Sequence, residues 1–147
     1  MGKEKEKAVE TWGEKVKEFG GGNFTFLSED GETITFIVVG LPVLMKSVYQ
    51  KKEQDRIGCP VVTDNGYQLF ICGKRLFRKL SKHETIFKTN ALMVTRHGAG
   101  GDTGTKYDVH VLPEKETFER LDVIRKEDFI PSMIADSVAE ATKVMSG

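Results

Sequence analysis

The residues best suited to chemistry in this sequence lie together between Ala91 and Pro113. Apolar and polar residues alternate with a period of two in both halves of this stretch, which predicts two strands of a sheet. Four glycines stand between the halves and can adopt a positive φ, which allows a sharp turn or a close approach to a ligand. Arg96 and Lys106 flank this loop, and Tyr107 follows Lys106. Such a hairpin could hold a polyanion, or it could be an ordinary surface hairpin that carries charge.

A second chemistry is suggested by Arg96-His97-Gly98, which follows an apolar strand. This triplet is similar to the Arg-His-Gly motif of histidine phosphatases, in which the histidine accepts a phosphoryl group and the arginine holds the phosphate. His110 could supply a second histidine. In that family, however, the motif lies on the first strand of a larger α/β domain, whereas here it lies about two-thirds along a chain rich in strands. We therefore keep a phosphatase as an alternative and expect that the protein is not an enzyme.

The sequence contains residue types that bind metals, but their spacing is not that of a known metal site. The two cysteines and three histidines are Cys59, Cys72, His83, His97 and His110. They show neither the Cys-x-x-Cys nor the His-x-x-x-His spacing of zinc sites. The glycine-rich loop also lacks the Gly-Lys-Ser/Thr ending of a P-loop. We expect no metal and no other cofactor. Two cysteines with free thiols are typical of a reducing compartment, which favours the cytoplasm.

Length and composition indicate one soluble globular domain. The 147 residues are 39% hydrophobic and 30% charged, which is enough for a core that needs no disulfides. The sequence has no run of about 18 apolar residues, so we expect no membrane span. The residues Met1–Lys7 are charged and are not followed by the apolar segment of a secretory signal.

Charge is balanced over the whole chain but not along it. Residues 1–41 carry 5 Lys and Arg against 8 Asp and Glu, residues 42–113 carry 12 against 6, and residues 114–147 carry 5 against 8. A basic middle between acidic ends favours a core that binds a polyanion. The densest basic segment is K-R-L-F-R-K-L-S-K at 74–82, with five basic residues and no acidic one. Its spacing predicts a short helix, and the alternative to a binding surface is a solvated helix face.

The pattern of elements predicts a helix, several strands and a C-terminal helix. Apolar residues recur at helical spacing in residues 3–19, and Gly20, Gly21 and Gly22 end that helix. Strands are predicted from residue 24 onward, with a charged loop at 50–55 and a hairpin turn at Asp64-Asn65-Gly66. An amphipathic C-terminal helix is predicted from a stripe formed by Ile130, Ile134, Val138, Ala141 and Met145.

This order of elements predicts a mainly β fold with flanking helices. A small, closed or nearly closed β-barrel with a short helix before the last pair of strands is the plan of an OB-fold. We expect a single domain over residues 1–147. It would comprise an N-terminal helix and glycine linker at 1–22, the OB-fold barrel at 23–113, and a C-terminal helical extension at 114–147.

A succession of short motifs runs from Asp30 to Pro113. It comprises D-G-E at 30–32, Cys59-Pro60, F-R-K-L at 77–80 and T-R-H-G-A-G-G-D-T-G-T-K-Y-D-V at 95–109. The last is similar to a T-R-x-G-x-G-x-D-T-x-Y-x-V-x-P pattern, and the succession resembles the single-stranded DNA-binding proteins of tailed phages, a family with an OB-fold. The chain lacks the cysteine cluster that some of these proteins use for zinc. It also ends in V-M-S-G, without the strongly acidic tip of many of them.

The resemblance implies sequence-independent binding and protection of single-stranded DNA during phage replication or recombination, in the cytoplasm of an infected bacterial host. Phosphates would be neutralised by basic residues and bases would stack on aromatic rings. The residues expected to contact phosphates are Lys46, Lys74, Arg75, Arg78, Lys88, Arg96 and Lys106, and those expected to stack on bases are Tyr49, Phe70 and Tyr107. Replication or recombination proteins are expected partners of the acidic C-terminal segment, and the chain could associate with itself.

A different class of function remains open, in which the barrel is a protein-interaction module that does not bind DNA. Its terminal helices would then dock on a replication or capsid partner. The two hypotheses share the fold and differ in what the basic surface does. A preference for single-stranded over double-stranded DNA would distinguish them, because stacking requires unpaired bases.

Overall fold

The computed structural model describes residues 23–49, 51–98 and 105–146. The strands in these residues are β1 (Phe24–Thr25), β2 (Thr33–Val38), β3 (Val43–Tyr49), β4 (Lys52–Thr63), β5 (Gly66–Cys72), β6 (Leu92–His97) and β7 (Lys106–Val111). The α-helices are α1 (Lys74–Ser81), α2 (Lys115–Asp128) and α3 (Ser132–Ser146), and a short 3-10 helix at Glu84–Ile86 precedes β6. The N-terminal helix and linker predicted at 1–22 lie outside the described residues. Within those residues, no helix is both long and apolar enough to cross a bilayer.

Together, β2 and β3 run alongside β4, antiparallel to it, as one bent strand. β2 pairs with the last part of β4, and β3 pairs with its first part, from Val43 opposite Gly58 to Tyr49 opposite Lys52. The prediction of a charged loop at 50–55 is therefore wrong, because residues 52–55 belong to β4. These residues are exposed or half-buried. Since this end of the hairpin extends past the core, no apolar alternation marks it as a strand.

The strands form one open sheet in the order β1-β5-β4-β2-β6-β7, with β3 paired to β4. The hairpin between β4 and β5 turns at Asp64 and Asn65, as predicted, and Gly66 has a φ of 98° there. The sequence predicted a closed or nearly closed barrel. In the described residues, however, no ladder joins the edge strands β1 and β7, so the sheet stays open. Arg96 on β6, the strand beside β7, instead reaches the chain just beyond β1 by donating a hydrogen bond of 2.8 Å to the carbonyl of Leu27.

One face of the sheet packs against α1. Leu76 and Leu80 of α1 are buried together with Phe36, Phe70 and Leu92 of the sheet. The short helix predicted at 74–82 is confirmed, although it ends at Ser81. Because leucines fill the buried side of α1, its basic residues lie on the sides that face solvent.

The opposite face of the sheet packs against α2 and α3. Alternation along β5 places Phe70 on the face that α1 covers and Leu69 on the face that α3 covers. A buried hydrogen bond of 2.8 Å between the Tyr67 and Ser137 hydroxyls attaches α3 to this face. The sequence predicted one amphipathic helix in this region. Two helices are present, and Leu121 of α2 is buried in the same apolar cluster as Tyr67.

The predicted stripe of the C-terminal helix is confirmed from Ile134 onward. Ile134, Val138, Ala141 and Met145 all pack on the sheet, with Ala141 fully buried. Ile130 lies before the start of α3 and is exposed. The apolar side of α3 is thus occupied by the protein's own sheet.

Candidate nucleic-acid interface

The exposed cations of α1 form the densest basic surface of the described residues. Five basic side chains on its solvent-facing sides, together called the α1 basic surface, are Lys74, Arg75, Arg78, Lys79 and Lys82, the last of which caps the helix. Arg78 and Lys79 lie in the last turn, where the negative end of the helix dipole favours positive charge. The arrangement presents several cations in one direction, as a polyanion requires.

Two of the predicted phosphate contacts share one carboxylate. The ammonium groups of Lys46 on β3 and Lys74 on α1 lie 2.6 and 2.8 Å from the two carboxylate oxygens of Asp55 on β4. Hydrogen bonds from Lys46 and then from Lys74 hold the pKa of Asp55 at about 2, so this carboxyl is ionised at neutral pH. A phosphate would have to compete with Asp55 for both lysines.

Lys79 ties α1 to the hairpin predicted from the sequence. Its ammonium donates a hydrogen bond of 2.7 Å to the backbone carbonyl of Tyr107 on β7. Arg75, Arg78 and Lys82 are exposed, and no acidic side chain of the described residues pairs with them. These three residues are therefore the cations of α1 most available to a ligand.

Lys88 and Lys106 are also exposed and have no acidic partner in the described part of the chain. Lys106 begins β7 opposite His97 on β6. The His97 imidazole lies 2.7 Å from the carboxylate of Asp108. Asp108 is the one acidic residue among the described residues of this hairpin, and its partner is His97 rather than Lys106. Lys106 thus keeps its position beside the glycine-rich loop as a cation directed to solvent.

Arg96 is not an exposed phosphate contact, and the prediction for this residue is wrong. Only 7% of it is exposed, and its guanidinium donates four hydrogen bonds within the protein. The acceptors are the carbonyls of Gly98 and Leu27, the Tyr107 hydroxyl and the Thr105 hydroxyl, at 2.8, 2.8, 3.1 and 3.3 Å. Since a guanidinium has five N–H groups, little donor capacity is left for a ligand. Arg96 closes the base of the hairpin.

The predicted stacking residues are largely used inside the protein. Phe70 is 1% exposed and packs against Phe36 with ring centroids 5.6 Å apart, so its prediction as a stacking residue is wrong. Tyr107 is half-buried, and the Arg96 guanidinium lies 5.8 Å from its ring centroid. The side chain of Tyr49 lies outside the described ones. The burial of Phe70 could not be predicted from the sequence. Because both faces of β5 are covered, its apolar and polar residues do not alternate in a way that separates buried from exposed side chains.

Phe26 is an exposed aromatic that the sequence analysis missed. It follows β1 and is 54% exposed, while Phe24 and Leu27 on either side are buried. A continuing strand would have placed Phe26 on the same face as Phe24, in the core. The strand ends at Thr25 instead, and no pattern in the sequence marks that end.

The phosphatase alternative gains no support from this geometry. Arg96 and His97 are consecutive in β6 and therefore point to opposite faces of the sheet, with Arg96 buried and His97 exposed. His110 on β7 is opposite Met93, which is four residues from His97 along β6, so His110 lies roughly 14 Å from His97. These side chains do not converge on one phosphoryl group.

The two cysteines are neighbours in the core, which their separation in the sequence did not reveal. Cys59 on β4 and Cys72 on β5 are both buried on the face that α1 covers. A hydrogen bond with Cys59, together with burial, raises the pKa of the Cys72 thiol far above its usual range. Within the described residues, no three His, Cys, Asp or Glu side chains are grouped to hold a metal ion.

Comparisons with protein-family models, with curated proteins and with solved structures give no match to this chain.

Proposed function

We propose that this protein binds single-stranded DNA without sequence specificity and protects it during phage replication or recombination. The observation that carries the proposal is the exposure of Arg75, Arg78 and Lys82 on one short helix, without acidic partners in the described residues. Basic side chains gathered in this way neutralise consecutive phosphates and release their counterions. Lys88 and Lys106 add two further exposed cations.

The connection of the strands supports an OB-fold as the scaffold. β2 and β3 act as one bent first strand that pairs with both β4 and β6, and α1 stands between β5 and the β6–β7 hairpin. A five-stranded, partly open barrel with a helix before its last two strands has this plan. OB-folds bind single strands through basic grooves and aromatic platforms.

The position of the helices indicates which parts of the sheet the DNA could reach. Much of the face opposite α1 is buried under α2 and α3, in clusters that contain Leu121 and Ala141. The outer side of the β6–β7 hairpin stays open, with Thr95, Asp108 and His110 half-buried or exposed. This outer side is the face of β6 and β7 that points away from α1, and the hydrogen bond from Lys79 to the edge strand β7 marks where it meets the α1 basic surface. We place the DNA along these two surfaces.

A titration with oligo-dT, followed by fluorescence over a series of salt concentrations, tests the proposal. If the five exposed cations Arg75, Arg78, Lys82, Lys88 and Lys106 each meet one phosphate, the logarithm of the affinity should fall with log salt with a slope of about −3.5. The same titration with duplex DNA should show much weaker binding, because stacking requires unpaired bases. Equal affinity for both forms would indicate a generic basic surface, and the absence of binding would favour the protein-interaction module.

A further inference from the structure

Beside Phe26 the structure has a groove of about 340 Å³ that is distinct from the α1 basic surface. Its walls are the chain after β1, the first half of β2 and the turn between β4 and β5. The groove opens here because the first half of β2 leaves β4 and pairs with β6. It thus lies at a gap in the sheet, beside the start of the β2–β6 ladder.

We infer that this groove takes an unpaired nucleobase of the bound strand, with the base stacked on Phe26. The inference rests on the proposed function and names a subsite for it. A ring that is 54% exposed in the wall of a groove offers a flat apolar platform. Every nucleobase has a π face that can stack on such a ring, whatever the sequence of the strand.

The polar side chains of the groove suit the edge of a base. Thr25, Thr35, Asn65 and Gln68 line it, and none of their side chains has a hydrogen-bond partner among the described residues. An Asn or Gln amide carries both a donor and an acceptor, which is what the edge of a nucleobase requires. These side chains can therefore satisfy a base without displacing a bond of the folded protein.

The charges of the groove favour a base over a phosphate. No Lys or Arg lines it, and its two carboxylates are already engaged. Glu32 accepts hydrogen bonds of 2.7 and 2.8 Å from the backbone N–H groups of Ser28 and Glu29, which lower its pKa. Asp64 accepts two hydrogen bonds from Arg120. A phosphate would meet two carboxylates and no Lys or Arg among the lining residues, whereas a neutral base can use both the donors and the acceptors of the polar side chains.

The groove is within reach of a cation that could hold the neighbouring phosphate. Thr33 in its wall is opposite Thr95 on β6, which is opposite Asp108 on β7. With strands about 4.8 Å apart and about 3.4 Å per residue, Lys106 lies roughly 12 Å from Thr33. One strand can therefore place a base in the groove and a nearby phosphate at Lys106.

The test compares oligo-dT with an abasic phosphodiester oligomer of the same length, at low salt. Phe26→Ala should weaken binding of oligo-dT by about 5- to 150-fold, the loss of one stacked base, and should leave the abasic oligomer unaffected. Arg78→Ala should weaken both oligomers by the same factor, because it removes only a phosphate contact. Leu44→Ala is the matched control, since Leu44 is 59% exposed on β3 and does not line the groove.

Two further variants keep the inference testable if Phe26→Ala disturbs the fold. Phe26→Trp should retain affinity for oligo-dT, and Phe26→Leu should lose it although it keeps an apolar side chain. Unchanged oligo-dT binding by Phe26→Ala or Phe26→Leu would overturn the inference and leave the proposed function standing. A parent chain that binds neither oligomer would overturn the proposed function, and the inference with it.

Discussion

At the scale of single residues, the decisive feature is how the basic side chains divide their roles. Arg96 is buried and uses its guanidinium to join Leu27, Gly98, Thr105 and Tyr107. The cations of α1 are exposed. The alternation in β6 already contained this distinction, because Arg96 has the same parity as the buried Leu92 and Val94. Charge alone suggested a ligand contact, whereas parity indicated the interior.

Arg96→Ala should therefore act mainly on stability. It leaves two carbonyls and the Tyr107 hydroxyl without their donor, and each buried polar group left unpaired costs about 1–3 kcal/mol. We expect a loss of about 2–4 kcal/mol in the free energy of unfolding, measured by urea denaturation. Arg78→Ala, at an exposed site, should stay within about 0.5 kcal/mol of the parent. An Arg96→Ala protein as stable as the parent would contradict this structural role.

Asp55→Asn should strengthen DNA binding. Removing the carboxylate frees both Lys46 and Lys74 for phosphates, so the affinity for oligo-dT should rise and its salt dependence should steepen by up to about 1.4 units. Asp122→Asn is a suitable control, because it releases Arg125 and Lys126 on α2, away from the α1 basic surface. Weaker binding by Asp55→Asn than by the parent would mean that Asp55 positions the lysines for DNA.

The pairing of Asp55 also makes a prediction about pH. Its pKa is lowered from 3.8 to about 2 in the folded protein, so the pairing is complete above about pH 4 and is lost as the pH falls through 2. Between pH 5 and 8 it should not change. Carbon NMR of the Asp55 carboxyl would follow this titration directly. A midpoint at or above 3.8 would show that neither lysine pairs with Asp55 in solution.

At the scale of elements, the sequence predicted those segments that face the core on one side. The helix predicted at 74–82 and the stripe of the C-terminal helix from Ile134 onward have a clear apolar period, and the turn at Asp64-Asn65 was predicted from its turn-forming residues. The first part of β4 was missed because its residues face solvent on both sides. The burial of Phe70 was missed because β5 is covered on both faces, and a continuous apolar strand does not reveal which ring meets a ligand.

The docking of α3 depends on a polar contact as well as on apolar packing. Tyr67→Phe removes the hydroxyl that bonds to Ser137 and keeps the ring that stacks on Phe129, with centroids 5.2 Å apart. We expect a loss of about 1 kcal/mol for Tyr67→Phe and of about 3–5 kcal/mol for Tyr67→Ala, measured by urea denaturation. Equal stability of the two variants would show that the ring contributes nothing to the docking of α3.

At the scale of the whole molecule, charge is separated between the two faces of the sheet. The α1 basic surface lies on one face, and α2 and α3 on the other expose acidic side chains that include Glu116, Glu119, Asp136 and Glu140. A polyanion is attracted to the α1 basic surface and repelled from the acidic side chains of α2 and α3. The uneven charge along the sequence predicted a basic core between acidic ends, whereas the faces on which the charges lie depend on how the sheet and helices pack.

The central claim is that the α1 basic surface binds single-stranded DNA, and one measurement tests it most directly. The salt dependence of oligo-dT binding should be compared between the parent and the triple variant Arg75→Ala, Arg78→Ala, Lys82→Ala. The control is Lys115→Ala, Lys126→Ala, Lys143→Ala, which removes the same charge from α2 and α3. The first variant should bind more weakly, with a slope shallower by about 2 units, while the control stays close to the parent. Equal losses in both variants would contradict a binding surface on α1.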